Sequence, residues 1–244
     1  MSYINTELLS RRFAAVRERM LAASGGRSVI LQAATKTVSA EVINACAEHC
    51  GLRVIGENRV QELLEKYDFL RRDLLEIHFI GHLQTNKVRK IIDKVDMIES
   101  VDNIGLAAEI NRQAARVGIV MPILIEINIG REAGKGGIMP EDAASFLDEI
   151  LRFSHIRVCG FMTMAPKCAD NEEYSKYFNE VARISLDNQS KICDNLDVGI
   201  VSCHGGPTLS TTILSMGMSD SYEAAIRAGA TMVRVGGALF GART

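Results

Sequence analysis

The sequence predicts an α/β protein, a (β/α)8 TIM barrel, from three observations. Eight short apolar segments alternate with amphipathic helical segments along most of the chain. The length of 244 residues is close to the usual size of such a barrel. Polar and glycine-containing stretches also follow the apolar segments consistently, as the loops after barrel strands do. A doubly wound open sheet is the alternative, because strand order cannot be read from a sequence.

The predicted helices carry apolar residues at helical spacing, with charged residues between them. The first helix covers about residues 4–23, and Ser24-Gly25-Gly26 ends it. Ser39 is the expected N-cap of the second helix. The later helices are predicted at Ala40–Cys50, Val60–Leu70, Lys87–Lys94, Ile104–Val117, Pro140–Phe153, Glu172–Ile192 and Ser221–Ala228.

The predicted strands are short runs rich in Val, Ile and Leu, which is typical of buried strands. Residues 197–212 break the alternation, with Val198–Cys203 as a further strand candidate and a turn at His204. We expect one domain over residues 1–244, with the barrel at about 28–243 and the first helix as an addition to it. The strands are predicted at Val29–Thr35, Arg53–Gly56, Ile77–Ile80, Met97–Val101, Ile123–Ile129, Val158–Met164, a segment ending near 214–216, and Met232–Val235.

Composition narrows the class of partner. The formal charge is −2, so neither nucleic acid nor an anionic membrane surface is an expected partner. The start lacks a signal-peptide pattern, and no apolar run is long enough to cross a bilayer.

The six cysteines are scattered without a CxxC pair, which favours reduced thiols in a cytoplasmic protein. Cys46 and Cys50 share a helix face, but two thiols without a second pair are a weak signal, so no metal site is predicted.

Polar residues follow most of the predicted strands. Lys36 follows the first strand, Asn58 the second and His82 the third, while Met162 lies near the end of the sixth. Any one of these residues alone suits a cap, a turn or a surface position, and Lys36 alone is most typical of an exposed lysine. In a barrel, however, the carboxyl ends of the strands meet at one rim, where the chemistry of this fold is placed. The sequence therefore predicts a site at that rim.

Two segments near the last strands favour a phosphate site. Ser215 and Gly217 belong to the seventh strand and its loop, and Gly236-Gly237 follows the eighth. Backbone N–H groups in such turns bind phosphate, and barrels often form this site from these two loops. Ser219 is the expected N-cap of the next helix. A lysine such as Lys36 beside a phosphate site either neutralises a phosphorylated substrate or forms a Schiff base with a carbonyl compound, and pyridoxal 5′-phosphate (PLP) has both groups.

Arg234 is a charged residue in an otherwise apolar strand. A buried charge of this kind needs a partner. The pyridine nitrogen of PLP is one candidate partner. The alternative is an arginine that lines the barrel and pairs with a core carboxylate such as Glu57 or Glu126.

Several motifs occur together in one order. They are KT at 36, GEN with VQE at 56, HFIGHLQ with NK at 78, GFMT at 160, LSMGMS at 214, and VRVG with LFG at 233. With these motifs, residues 28–243 resemble the pyridoxal phosphate homeostasis family (the YggS/PROSC group), and HFIGHLQ and LSMGMS are the most specific of them. The resemblance implies a fold type III barrel, similar to the N-terminal domain of alanine racemase, that binds PLP as an internal aldimine. It also implies a role in intracellular vitamin B6 balance, by buffering or delivering PLP, without established turnover.

The resemblance also assigns roles to individual residues. It makes Lys36 the lysine of the aldimine and places Arg234 at the pyridine nitrogen. An arginine there keeps that nitrogen unprotonated, which weakens the electron sink and favours modest catalysis at most. The remaining assignments are the phosphate contacts, Ser215, Gly217, Gly236 and Gly237, and the lining of the ring pocket, Asn58, His82 and Met162.

The chain departs from the family pattern at two positions near this site. Arg59 stands where an aromatic residue usually follows GEN, so we expect a more open or more cationic outer pocket. Gly237 replaces the usual serine or threonine, so backbone donors have to suffice for the phosphate.

A PLP-dependent amino-acid racemase of low activity is the alternative function. Racemisation usually needs a second base on the opposite face of the cofactor. In alanine racemases that base is a tyrosine from a C-terminal domain, which we do not expect here, and no tyrosine of this chain is predicted at a strand end. A Schiff-base aldolase is a third candidate, although its lysine commonly comes from a later strand. We expect PLP and apo PLP-dependent enzymes as partners, and a monomer or weak dimer.

Overall fold

The computed structural model describes residues 4–195 and 212–241. The strands in these ranges are β1 (Ile30–Ala34), β2 (Val54–Glu57), β3 (Glu76–Phe79), β4 (Met97–Val101), β5 (Met121–Ile127), β6 (Ile156–Thr163), β7 (Ile213–Ser215) and β8 (Met232–Val235). Each strand pairs in parallel with the next, and β8 pairs with β1 to close the barrel. The predicted (β/α)8 barrel is therefore confirmed, and the open-sheet alternative is wrong.

The helices follow the predicted alternation. They are α1 (Thr6–Ser24), α2 (Ala40–His49), α3 (Val60–Lys66), α4 (Val88–Ile91), α5 (Ile104–Val117), α6 (Ala143–Ile150), α7 (Asn171–Asp187), α8 (Gln189–Asn195), α9 (Tyr222–Arg227) and α10 (Gly237–Phe240). Two predicted helices, those of α3 and α6, are shorter because one turn of each is 3-10 helix, at Tyr67–Phe69 and Pro140–Asp142. Helix α4 follows a 3-10 turn at Thr85–Lys87 and ends at Ile91, three residues before the predicted end.

Other differences from the prediction lie near the end of the chain. The helix predicted over residues 172–192 divides at Asn188, whose side-chain amide donates to the carbonyl of Ile184 and caps α7. Helix α10 was not predicted, because four residues are too few to show helical periodicity. The strand candidate Val198–Cys203 and the turn at His204 lie outside the described residues.

The inside of the barrel is apolar near the amino ends of the strands. Met97, Ile213 and Met232 are the first residues of β4, β7 and β8, and they pack together in a buried cluster. The other members of the cluster are Leu124, Cys159 and Met162, with Ile30 against them. This apolar layer closes the amino end, so the polar interior side chains lie nearer the carboxyl ends.

Strands β6 and β7 approach each other closely at Gly160. A Cβ atom at this position would lie 1.9 Å from the carbonyl oxygen of Ile213. The φ angle of Gly160 is +148°, which residues with a side chain rarely adopt. Glycine is therefore required for this strand pairing.

Helix α1 occupies the place of a long helix after β8. It packs against α9, α10 and α2, while α10 itself has only four residues. The ring of Phe13 on α1 meets Phe240 on α10 edge to face, with centroids 6.3 Å apart. Asn5 caps the helix by accepting a hydrogen bond from Leu8, and Gly25 ends it with a left-handed conformation. The helix predicted as an addition to the barrel thus completes its outer layer.

No helix in the described ranges is long and apolar enough to cross a membrane.

Phe13→Ala should lower the free energy of unfolding by about 3–5 kcal/mol, because it leaves a cavity between α1 and the barrel. The Phe13 side chain is 1% exposed. Leu21→Ala on the same helix is the matched control, because Leu21 is 69% exposed and should change stability by about 0.5 kcal/mol or less. Urea unfolding measures both values. Equal losses for the two variants would contradict the role given to α1.

Candidate functional site

The turn after β1 brings Lys36 to a cavity at the carboxyl end of the barrel. In this turn the N–H of Val38 donates to the carbonyl of Thr35 at 3.0 Å. The cavity has a volume of about 390 Å³. Its lining consists of the turn residues Lys36, Thr37, Val38 and Ser39, with Ala34, Gly236 and Gly241, and the apolar side chains of Leu9, Val42 and Phe240.

The composition of this lining limits its chemistry. Within the described part of the chain, Lys36 is the only lining residue with a side chain that titrates. The hydroxyls of Thr37 and Ser39 can donate and accept hydrogen bonds but are not bases near neutral pH. The cavity therefore offers one amine, two hydroxyls and backbone groups within an otherwise apolar wall.

The loops after β7 and β8 are joined by the hydroxyl of Ser219. Its Oγ accepts hydrogen bonds from the N–H groups of Gly236, at 3.3 Å, and Ala238, at 3.4 Å. The prediction of Ser219 as the N-cap of the next helix is wrong, because Ser221 holds that position and its Oγ accepts from Met218. Two backbone donors of the predicted phosphate segment thus converge on one oxygen.

The two predicted glycines flanking this junction have different surroundings. Gly217 is buried with a φ of +92°, and its carbonyl accepts from the N–H of Arg234 at 3.0 Å. Gly237 is exposed, and an added Cβ would meet only the Ser219 Oγ, at 3.8 Å. The structure therefore has room for the serine or threonine that Gly237 replaces.

Arg234 lies inside the barrel, where its guanidinium donates to two acceptors. Nη1 bonds the Ser215 Oγ at 2.6 Å, and Nη2 bonds the carbonyl of Thr163 at 2.6 Å. The Ser215 hydroxyl in turn donates to Oε2 of Glu99 at 2.7 Å. Ser215, predicted as a phosphate contact, is fully buried and has its hydrogen directed to Glu99.

Glu99 is the centre of this interior network, which comprises Gln32, His78, Glu99, Ser215 and Arg234. Its Oε1 accepts from Gln32 at 2.6 Å and lies 2.7 Å from Nδ1 of His78. Glu99 was not predicted as a site residue. The signal that could have found it is the one used for Arg234, a charged residue within an apolar strand.

Burial and charge act against each other in this network. Burial disfavours the charged form of His78, but the hydrogen bonds that it donates to Glu76 and Glu99, with their negative charges, outweigh burial and raise the pKa of His78 to about 9. Burial also disfavours the ionised form of Glu99, but His78, Arg234 and Ser215 hold its pKa below the ordinary value. Both groups are therefore charged near neutral pH.

The carboxylates that act on Arg234 are only partly those predicted. Burial lowers the pKa of Arg234, and the charges of Glu99 and Glu126 oppose this effect. Burial and the nearby Asp102 raise the pKa of Glu126 to about 7, against the attraction of Arg234. Glu57, named with Glu126 as a possible partner, instead pairs with Lys66, and their atoms Oε1 and Nζ are 2.9 Å apart.

The three residues predicted to line the ring pocket lie in different places. Asn58 is half-buried, and its Oδ1 is buried without a hydrogen-bond partner in the described ranges. Its loop touches that of exposed His82, because a Cβ at Gly81 would lie 2.1 Å from the Asn58 carbonyl oxygen. Arg59, beside Asn58, is exposed. Met162 is fully buried in the apolar interior cluster and does not line the cavity.

The cysteines in the described ranges are free thiols, including buried Cys46 on α2 and buried Cys50 at the C-cap of that helix. In the same ranges, no group of three or more His, Cys, Asp or Glu residues is arranged to hold a metal ion.

Comparison with known proteins identifies the family of this barrel. The chain matches the alanine racemase N-terminal domain family over residues 4–244. A pyridoxal phosphate homeostasis protein of Aquifex aeolicus is 39% identical to it, over 97% of each chain. The chain belongs to the pyridoxal phosphate homeostasis protein family. A solved member of similar structure is PipY of Synechococcus elongatus with PLP bound, at a TM-score of 0.78 and 29% identity over 96% of this chain and 100% of PipY.

Enzymes with the same barrel are more distant from this family member. An alanine racemase of Clostridium difficile, in complex with cycloserine, has a TM-score of 0.68 and 16% identity to it. The match covers 96% of this chain and 60% of the racemase. At this level of identity the likeness shows a common fold.

The raised pKa of His78 predicts a pH dependence of stability. Because the folded state holds the proton more tightly than an ordinary histidine, of pKa about 6.5, this stabilisation is complete below about pH 6.5. It is lost as the pH rises through about 9. The free energy of unfolding of wild type should therefore fall by an amount on the order of 1–3 kcal/mol between these pH values, and His78→Gln should not show this fall.

Chemical unfolding at several pH values measures this difference between wild type and variant. His49→Gln is the control, because the side chain of His49 is 58% exposed. Parallel pH profiles for wild type and His78→Gln would contradict the paired, protonated state of His78.

Proposed function

We propose that this protein binds PLP covalently through Lys36, holds it, and passes it to apo PLP-dependent enzymes as part of PLP homeostasis, without racemase turnover. The observation that carries the proposal is the cavity in which Lys36 is the only titratable side chain of the described lining. Such a site suits the attachment of an aldehyde better than acid–base chemistry, which needs further groups.

The cavity and the loops at the same end of the barrel fit PLP in three respects. The volume of about 390 Å³ lies within the usual range for small-molecule pockets, roughly 300–1,000 Å³. The N–H groups of Gly236 and Ala238 already bind one oxygen, that of Ser219, which is the donor arrangement that a phosphate oxygen requires. At the same end of the barrel, the unpartnered Oδ1 of Asn58 can accept a hydrogen bond from a ligand hydroxyl.

We assign the holding of PLP to these residues. Lys36 would hold PLP, because its amine is the group that can join reversibly to an aldehyde carbon with release of water. The N–H groups of Gly236 and Ala238, with Ser219, would hold the phosphate, and Asn58 and His82 would lie at the rim. Because the addition of water reverses the attachment, the same lysine allows release to a recipient enzyme.

Bound PLP supplies an electron sink for carbanion chemistry. The described lining provides no second base to use that sink, because Thr37 and Ser39 are its other polar side chains. His78 is protonated near neutral pH and paired to Glu99 inside the barrel. Arg234 also lies inside the barrel, and its guanidinium is positively charged. It has no atom that can accept a proton, so it cannot act as the base.

Lys36→Ala should abolish an absorbance band at roughly 410–430 nm that appears when PLP is added to wild type. The band reports the bond to the lysine, so the variant should leave PLP with the spectrum of the free aldehyde. Lys87→Ala, an exposed lysine after β3, is the control and should keep the band. Reduction with borohydride followed by peptide mass analysis locates the modified lysine. A full band in Lys36→Ala would disprove the assignment.

Loaded wild type should exchange the α-hydrogen of L-alanine in deuterated water no faster than free PLP does, because the lining has no second base. Proton NMR of the alanine signal measures the rate. Free PLP at the same concentration and the Lys36→Ala variant are the controls. Exchange at a rate near that of dedicated racemases would favour the racemase alternative instead.

A further inference from the structure

Thr37, next to Lys36, has a backbone conformation that β-branched residues rarely adopt. Its φ angle is +65°, in the left-handed region, where contacts of the Cβ atom disfavour most residues. It lies within the turn that the hydrogen bond from Val38 to Thr35 closes. Turns that need a positive φ usually have glycine or asparagine there. Surrounding contacts must therefore hold Thr37 in this state.

A buried lysine on α3 makes those contacts. The Lys66 side chain is 9% exposed, and its Nζ donates to the carbonyls of Thr35 and Val38, both at 3.1 Å. These two carbonyls belong to the two ends of the turn. One ammonium group on α3 therefore holds both ends of the turn.

Two carboxylates complete what we call the Lys66 cluster, which consists of Lys66, Glu57 and Glu62. Oε1 of Glu62 lies 3.1 Å from the Lys66 Nζ and accepts the N–H of Thr37 itself. Oε1 of Glu57 lies 2.9 Å from the same Nζ and accepts the Thr35 hydroxyl at 2.5 Å. The cluster therefore contacts the turn at Thr35, Thr37 and Val38.

A buried ion cluster of this kind needs a reason beyond stability. An apolar side chain in place of a buried ion pair often stabilises a protein as well or better. Burial raises the pKa of Glu57, and Lys66 and Thr35 only partly offset the effect. The folded protein therefore disfavours the ionised form of this carboxyl group. An apolar residue at position 66, however, would leave the Thr35 and Val38 carbonyls without this donor.

We propose that Lys66 is a positioning residue for Lys36, which acts with Glu57 and Glu62 to hold the turn over residues 35–38 in the strained form that keeps Lys36 at the cavity. The inference extends the proposed function, because it concerns how the amine meets the aldehyde of PLP. A turn that is already ordered loses less conformational freedom when the ligand binds, which increases affinity.

The test uses the paired variant Lys66→Met/Glu57→Gln, because Lys66→Met alone leaves the Glu57 carboxylate buried without its cation. The PLP dissociation constant, from titration of the absorbance band, should rise about tenfold. The dissociation constant of pyridine-4-carboxaldehyde, which has no phosphate, should rise by the same factor, because the substitutions act on the position of the Lys36 amine. Circular dichroism establishes that the variant is folded at the temperature used.

Relief of the strain provides a second variant. Thr37→Asn, added to the paired variant, should restore most of the lost affinity, since asparagine adopts a positive φ more readily than threonine. Lys191→Met is the control, because it breaks an exposed ion pair with Asp148 and should leave both dissociation constants unchanged. A purely structural Lys66 would lower the melting temperature and leave these constants at wild-type values.

The outcomes separate the two proposals. Wild-type affinity for both aldehydes in the folded paired variant would overturn the positioning role, and so would a loss that Thr37→Asn does not reduce. Wild type that binds the phosphate-free aldehyde but no PLP would overturn the proposed function. In that case a tenfold loss for this aldehyde in the paired variant would still support the positioning role of Lys66.

Discussion

The guanidinium of Arg234 is a charge enclosed in a sealed barrel, and the inner face of the sheet is organised around it. A buried charge is tolerated only where acceptors and counter-charges surround it. Arg234 bonds Ser215 and the last carbonyl of β6, Ser215 bonds Glu99, and Glu99 accepts from Gln32 on β1 and lies against His78 on β3. The network thus connects strands β1, β3, β4, β6, β7 and β8 from within.

Buried side chains fill the barrel beneath the loops at its carboxyl end. The apolar cluster closes the amino end of the barrel, and the interior network fills the space above it. Outside the barrel wall, the Lys66 cluster joins β2 and α3 to the turn that carries Lys36. A group of buried charges therefore holds the turn that carries Lys36, and a site supported in this way is preorganised for a ligand.

Much of the fold was predictable because its signals are local. The bounds of β4, β8 and α5 agree with the prediction residue for residue, since apolar periodicity and flanking breakers define them. Lys36 was placed at the rim by a general property of barrels, that their functional residues follow the strands.

The depth of a side chain within the barrel was not predictable in the same way. Ser215 and Met162 are near strand ends, as predicted, but both side chains point into the interior, one to Glu99 and the other to an apolar cluster. The register shift beside Gly160 contributes, because one extra residue changes which side chains face inward. The pairing of Lys66 with Glu57 joins a helix to a strand across nine positions, and no local spacing indicates it.

Holding a cofactor and using it in catalysis require different surroundings. Catalysis needs a base at the reacting carbon, whereas holding needs an amine in the right place and a bond that water can reverse. The described lining meets the second requirement, with Lys36 in a turn whose strain the Lys66 cluster supports. Differences in affinity among related complexes appear mostly in the dissociation rate. On the proposal that Lys36 binds PLP, the stiffness of this turn would set how long PLP stays bound, and a looser turn would release it sooner.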